Sequence, residues 1–190
     1  MEPIRERRRP VIAVFIGLPG LGKSTQAETI ATALGVRRLR IGDALAAKGL
    51  VRSPAEASEP ELWHQRLLAH TAEYLEGAVW DSLATNGWAI LDGFPRSLQE
   101  TDALLRFVQA KNVALQVLHF GGEDVERMAA LSLERQRSRA VRDGEPPNEA
   151  YCQGKLTLAK VYDQPCLERL RRSGAAAATN VTPTDDGMNP

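Results

Sequence analysis

The stretch FIGLPGLGKSTQAETI, residues 15–30, carries an apolar run through three glycines, a lysine and the hydroxyls of Ser24 and Thr25 into a helical pattern. Gly17 to Ser24 fits GxxxxGK[ST], and it does so between a predicted strand and a predicted helix, the context in which that spacing has a mechanism. The glycines let the backbone turn sharply and aim N–H groups inward, while the helix start presents its positive end to an anion. Gly17, Pro19, Gly20, Leu21, Gly22, Lys23, Ser24 and Thr25 are therefore expected to form a phosphate cradle. Lys23 would reach the β and γ phosphates, and the Ser24 hydroxyl would ligate Mg²⁺. A glycine turn with an incidental lysine is the bland alternative, and the presence of every motif position argues against it.

Outward from the cradle, VIAVFI (11–16) reads as a strand buried on both faces of a parallel sheet. Further strand candidates are VRRLRI (36–41), WAILD (88–92), VALQVLHF (113–120) and AAAATNV (175–181). Helical patterns fall between them at 23–34, at 71–83 with Thr71 as N-cap, at 98–109 after Ser97, and at 124–137. Strand alternating with helix predicts an α/β fold with a parallel sheet. Met128 and Leu131 fit the buried stripe of the last helix.

Two regions interrupt the alternation. Residues 44–70 hold the Pro/Ser/Glu-rich VRSPAEASEP followed by the helical ELWHQRLLAH, and residues 135–150 hold Arg135, Arg137, Arg139 and Arg142 before two prolines. Surface insertions of this kind tend to carry function, although a charge run alone is more often a solvated face.

Bulk composition sets limits. A chain of 190 residues with 43% hydrophobic content buries a core as one domain. Lys plus Arg and Asp plus Glu both number 24, so charge gives no argument for a nucleic-acid or membrane partner. Cys152 and Cys166 form no CxxC pair, which speaks against structural zinc and a disulfide scaffold and favours the reducing cytoplasm. His64, His70 and His119 share no metal-ligand spacing. Residues 1–9 of the basic opening MEPIRERRRP read as a solvated tail, with a basic docking segment as the alternative, and TPTDDGMNP as a frayed end.

Asp92, at the predicted carboxyl end of WAILD, places a carboxylate beside the cradle, where it can hold a metal's water shell. A buried Asp needs a partner, and Mg²⁺ with its waters is a plausible one.

Together, GLPGLGKSTQ, IGDALAAK, NGWAILDGFPRS and YDQPCLERLRRSG resemble, in order, landmarks of adenylate kinases and related nucleoside monophosphate kinases, over roughly residues 11–175. The resemblance implies a single three-layer P-loop domain over 1–190: a five-stranded parallel sheet with helices on both faces, an acceptor-binding lobe at 43–70 and a lid at 130–150. It implies ATP and Mg²⁺, nucleotide substrates, no nucleic acid or membrane, and a cytoplasmic monomer. Arg96, the arginine of DGFPR, would grip the acceptor phosphate next to Gly93. Arg139 and Arg142 would neutralise the moving phosphoryl group. Lys155 stands where the family has a further catalytic arginine; it keeps the charge and loses the bidentate fork.

The departures concern the acceptor. Ile41-Gly42-Asp43 replaces Thr-Gly-Asp, and Ala46 stands where a second arginine clamp is usual, with Lys48 able to substitute only from another face. Glu100 stands where a glutamine would read adenine, with Gln99 beside it, and an ionised carboxylate suits a base that offers N–H groups. Trp63 could stack a base. Asp43 is either an N-cap or, for a hydroxyl acceptor, the general base, because a phosphate acceptor needs no base and an alcohol does. Two alternatives thus stand beside the monophosphate kinase: a P-loop kinase for a metabolite hydroxyl, and a nucleotide-binding module with a decayed acceptor site.

Overall fold

The computed structural model describes residues 9–51, 53, 60–121, 125–144, 149–174 and 176–181. Residues 1–8 of the basic opening, most of VRSPAEASEP, the two prolines after Arg142 and the TPTDDGMNP end lie outside these residues, whereas Arg9, expected in the solvated tail, is tied down by its Nε–H, which donates to the Asn112 carbonyl at 2.9 Å.

Five strands, β1 (Val11–Gly17), β2 (Arg38–Leu39), β3 (Trp88–Asp92), β4 (Ala114–Phe120) and β5 (Ala176–Val181), form one sheet in the order β2-β3-β1-β4-β5. Every pairing is parallel. The connection leaving β1 runs to one side, toward β2, and the connection leaving β3 runs to the other, toward β4, so the carboxyl ends of the adjacent β1 and β3 lie where the topology changes direction and open α/β sheets leave a crevice. The register brings Phe15 beside Asp92 and Gly17 beside Phe120, which aligns the ends of three strands at one edge.

Alternate residues of β1 feed two cores. Ile12, Val14 and Ile16 pack with Leu67, Leu104, Phe107 and Leu167, whereas Ala13 and Phe15 pack with Leu21, Ala27, Met128 and Leu156. This is the period-two signature of a strand covered on both faces. The covering helices are α1 (Lys23–Leu34), α2 (Ile41–Ala46), α3 (Pro60–Ala69), α4 (Thr71–Tyr74), α5 (Trp80–Asn86), α6 (Leu98–Ala110), α7 (Val125–Arg142) and α8 (Glu149–Arg172), with a π-helical turn at Leu75–Val79 between α4 and α5. None of the helices, among the described residues, is long and apolar enough to cross a membrane.

Local chemistry explains several ends. Helix α1 stops at Gly35, whose φ of 66° is left-handed. Ser97 caps α6, its Oγ accepting from the Glu100 N–H at 3.2 Å. Thr71 does not cap: its Oγ1 donates back to the Leu67 carbonyl at 3.4 Å, tying α4 to the last turn of α3. The predicted strand at 36–41 is also shorter than its pattern. Only Arg38 and Leu39 pair with β3, and buried Ile41 already opens α2.

Gly17 tolerates a side chain least among the described glycines. Its φ is 128°, and a Cβ there would lie 2.0 Å from the Phe120 carbonyl oxygen. Gly17→Ala is expected to destabilise the fold by about 3 kcal/mol, combining left-handed strain with overpacking against backbone, as read from urea denaturation midpoints.

Candidate active site

The glycine-rich loop expected to act as the cradle joins β1 directly to α1. Gly20 and Gly22 have φ of 79° and 87°, conformations that only glycine adopts without strain, and they turn the chain from the strand edge into the helix. The Lys23 ammonium curls back and donates to the carbonyls of Gly17 at 2.5 Å and Leu18 at 2.6 Å, so the side chain lies along its own loop. Helix α7 leans on the other wall. Ser132, fully buried, donates its Oγ–H to the Pro19 carbonyl, and a Cβ on Gly20 would meet the Ser132 carbonyl at 3.0 Å.

Asp92 closes β3 one strand away, only 4% exposed. Its partner is a guanidinium: Arg38 Nη1 donates to Asp92 Oδ2 at 3.2 Å, and Arg40 Nε lies 4.0 Å from the same oxygen. The burial cost that pointed to a metal is thus offset by β2, and Asp92's burial no longer argues for one. Arg38 Nη1 also donates to the Ser24 carbonyl at 3.3 Å, so one cationic nitrogen bridges the residues expected to serve Mg²⁺. The Ser24 hydroxyl and the Asp92 carboxylate are hard oxygen donors of the type magnesium takes, but Arg38 already neutralises the carboxylate, so the pair fits only an ion carried mainly by phosphate oxygens.

Beyond Asp92 the chain turns through Gly93, φ 67°, and a cis Phe94–Pro95 peptide to Arg96. The Arg96 Nε–H donates to the Gly93 carbonyl, and a Cβ on Gly93 would lie 2.9 Å from Arg96 Nη2. Gly93 therefore leaves the space into which the guanidinium folds. Glu100 fixes the same turn from below, its Oε2 accepting from the Arg96 backbone N–H at 2.5 Å. Glu100 is completely buried and Gln99 exposed, which resolves the helix register left open by sequence. Burial pushes the Glu100 carboxyl above its ordinary range, against the pull of the Arg96 N–H, the Arg96 charge and His64.

Tyr74, on α4, meets Phe94 edge-on at 5.6 Å between ring centroids. Burial pushes its phenol upward; Arg96 opposes this, while Asp43, Asp92 and Glu100 add to it, so the ring sits within reach of all four charges.

The other predicted residues spread out. The Asp43 side chain is 63% exposed and faces Arg40 at 3.7 Å. Lys48 pairs with Glu73 on α4, and this surface pairing leaves the position opposite Ala46 without that lysine. Trp63 lies against α2, where a Cβ on Gly42 would meet its ring at 3.5 Å. On α7, Arg137 forms a two-pronged ion pair with Glu149 at 2.7 and 2.9 Å. Arg139 and Arg142 are exposed further along α7. The Lys155 backbone belongs to α8, and its side chain lies outside the described residues.

Sequence reasoning missed Arg38, Arg40, Tyr74, Ser132 and Asp163. Arg38 and Arg40 carry a readable signal, since residues two apart at a strand end point to one face. Asp163 carries another: it falls in the stripe of α8 that includes buried Cys152, Leu156, Cys166, Leu167 and Leu170.

The sequence is similar to known proteins. A family model described as AAA domain matches residues 16–146. An adenylate kinase of Synechococcus sp. (strain CC9311) is 30% identical over 163 residues, 85% of each chain. One from Parasynechococcus marenigrum (strain WH8102) is 32% identical over 168 residues, again 85% of both chains. A third, from Xanthobacter autotrophicus (strain ATCC BAA-1158 / Py2), is 28% identical over 191 residues, covering 92% of this chain and 96% of its own. Likeness of that extent, joined to a parallel sheet with the cradle at its central strand, makes this chain a member of the P-loop nucleoside monophosphate kinase family to which adenylate kinases belong.

Proposed function

We propose that the protein transfers the γ-phosphoryl group of ATP to a nucleoside monophosphate. The observation that carries this reading is the adjacency of two grips: the cradle with Lys23 at the end of β1, and Arg96 four residues beyond the end of the neighbouring β3. Phosphoryl transfer asks for two anions held in line and their charge neutralised, with little covalent work for the protein. Lys23 and the loop N–H groups hold the donor, and the Arg96 guanidinium holds the acceptor phosphate. Mg²⁺, held by Ser24 and Asp92 beside the phosphates, would neutralise donor charge when bound. Residues 43–70 close over the acceptor and residues 130–150, with Arg139 and Arg142, over the donor. Lys155 adds charge at the transferring group. The protein acts as a cytoplasmic monomer.

The acceptor is read as a phosphate rather than an alcohol because Asp43 lacks the setting of a general base. It is open to water and paired with Arg40, whereas a base must lie within hydrogen-bond reach of the attacking hydroxyl. Asp43→Asn is expected to change kcat by less than about fivefold, well short of the 10²–10⁴ that a general base contributes. Steady-state kinetics on that variant and on Arg96→Ala supply the test. A larger loss from Asp43→Asn than from Arg96→Ala would favour a hydroxyl acceptor.

A further inference from the structure

Among the described residues, the buried side-chain polar atoms without a hydrogen-bond partner are Tyr74 Oη, Glu100 Oε1 and Asp163 Oδ2. All three groups feel the charge of Arg96, and Asp163 alone among them also feels Lys23. Arg96 belongs to the acceptor side and Lys23 to the donor side. Asp163 is therefore the buried carboxyl that both grips share.

Its position follows from α8, which packs against β1 and α6 and so delivers Asp163 to the base of the cradle. The Gly17 N–H faces the carboxyl there. Gly17 is also the residue whose carbonyl accepts from the Lys23 ammonium, so carboxyl, strand end and ammonium form one unit. Buried carboxylates are normally paired or fully hydrogen-bonded, because an unsatisfied oxygen keeps its desolvation cost. Here burial outweighs both cations and the Gly17 N–H, and the carboxyl is pushed up to about 6. The neighbouring thiol in the stripe, Cys166, is pushed up to about 11 and stays neutral. For the fold alone, a neutral side chain would serve better at Asp163 than a carboxylate does.

We propose that Asp163 is a positioning residue for phosphoryl transfer, the common counter-ion that sets the Lys23 ammonium and the Arg96 guanidinium across the line along which the phosphoryl group moves. The proposal rests on the phosphotransferase reading given above. It has an unusual sign. A carboxylate in a pocket for polyanions works against ground-state binding, so removing its charge leaves nucleotide affinity intact or improves it. Turnover falls, because the two cations lose their common reference and misplacement of reacting groups is costly.

The test is Asp163→Asn, which keeps shape and removes charge. Expected are a Tm higher by about 2 °C or more at pH 8, a Kd for Mg·ATP unchanged or lower by titration calorimetry, and a kcat lower by about tenfold or more. The Tm gain also has a pH signature. A carboxyl raised from its usual value near 3.8 to about 6 makes the folded state less stable above that window, and the cost is relieved as pH falls through it. The gain from Asn is therefore full at pH 8 and shrinks toward pH 4, with Lys23, Arg96 and the neutral Cys166 thiol around the carboxyl. A lower Tm together with weaker ATP binding would assign Asp163 a merely structural role, and an unchanged kcat would overturn the proposal outright. Should the unaltered protein phosphorylate no nucleoside monophosphate, the functional reading fails. An active protein whose Asn variant is equally active sinks only the role of Asp163.

Discussion

Arg96→Ala is expected to lower kcat/KM for the acceptor by about 10²–10³ while leaving the Kd for Mg·ATP within about twofold. The guanidinium is a planar fork that meets a phosphate with two parallel donors, and in a site shielded from water such charge-assisted pairs are strong. Its place is built with unusual care for one side chain. Gly93 leaves room for it, the Gly93 carbonyl takes its Nε–H, and buried Glu100 anchors its backbone N–H. A residue fixed at two points is pre-organised, which removes the entropy of finding its partner from the transfer step. Arg96→Lys should recover only part of the loss, because an ammonium keeps the charge and loses the fork. Equal loss of ATP affinity and acceptor turnover in Arg96→Ala would assign Arg96 to the donor side instead.

Lys23→Met should be the more damaging change, with kcat falling by about 10³ or more and ATP affinity by a smaller factor. The ammonium now rests on the Gly17 and Leu18 carbonyls, a position it can leave by rotating its flexible stem toward a phosphate that replaces both acceptors. Negative charge builds on the bridging and β oxygens as the bond to the leaving oxygen breaks, so an ammonium between the β and γ phosphates interacts more strongly in the transition state than in the ground state. Methionine preserves the stem's volume and isolates the effect of charge. Single-turnover rates at saturating ATP separate this loss from weakened binding, and a Lys23→Met protein with kcat near that of the original would contradict the cradle's assigned role.

Much of this was legible in the chain because it is local. The run into Gly17, the spacing to Lys23 and the helix after it are set by sterics and periodicity within one short window, and α1 spans Lys23–Leu34 as the pattern predicts. The Ser97 cap and the α6 start are local in the same sense. The order β2-β3-β1-β4-β5 depends on which strands pair at long range, and no window of sequence contains that information. Asp92 shows the limit most clearly. Its burial was foreseen, but its partner was not, since Arg38 lies 54 positions away in sequence. Glu100 illustrates a different difficulty: sequence left open whether it or Gln99 faces inward, and only the packed helix shows Glu100 buried, with its carboxylate holding the Arg96 backbone N–H. Asp163 went unnoticed because a polar residue in a long charged helix looks solvated until the packing against β1 is known.

The central claim, a phosphate acceptor gripped opposite an ATP cradle, is tested most directly by incubating the protein with Mg·ATP and each common ribo- and deoxyribonucleoside monophosphate and following both products by ³¹P NMR. The account predicts stoichiometric ADP and nucleoside diphosphate with at least one acceptor, and loss of that product in Arg96→Ala. Absence of diphosphate with every monophosphate, from protein that binds ATP tightly, would contradict it.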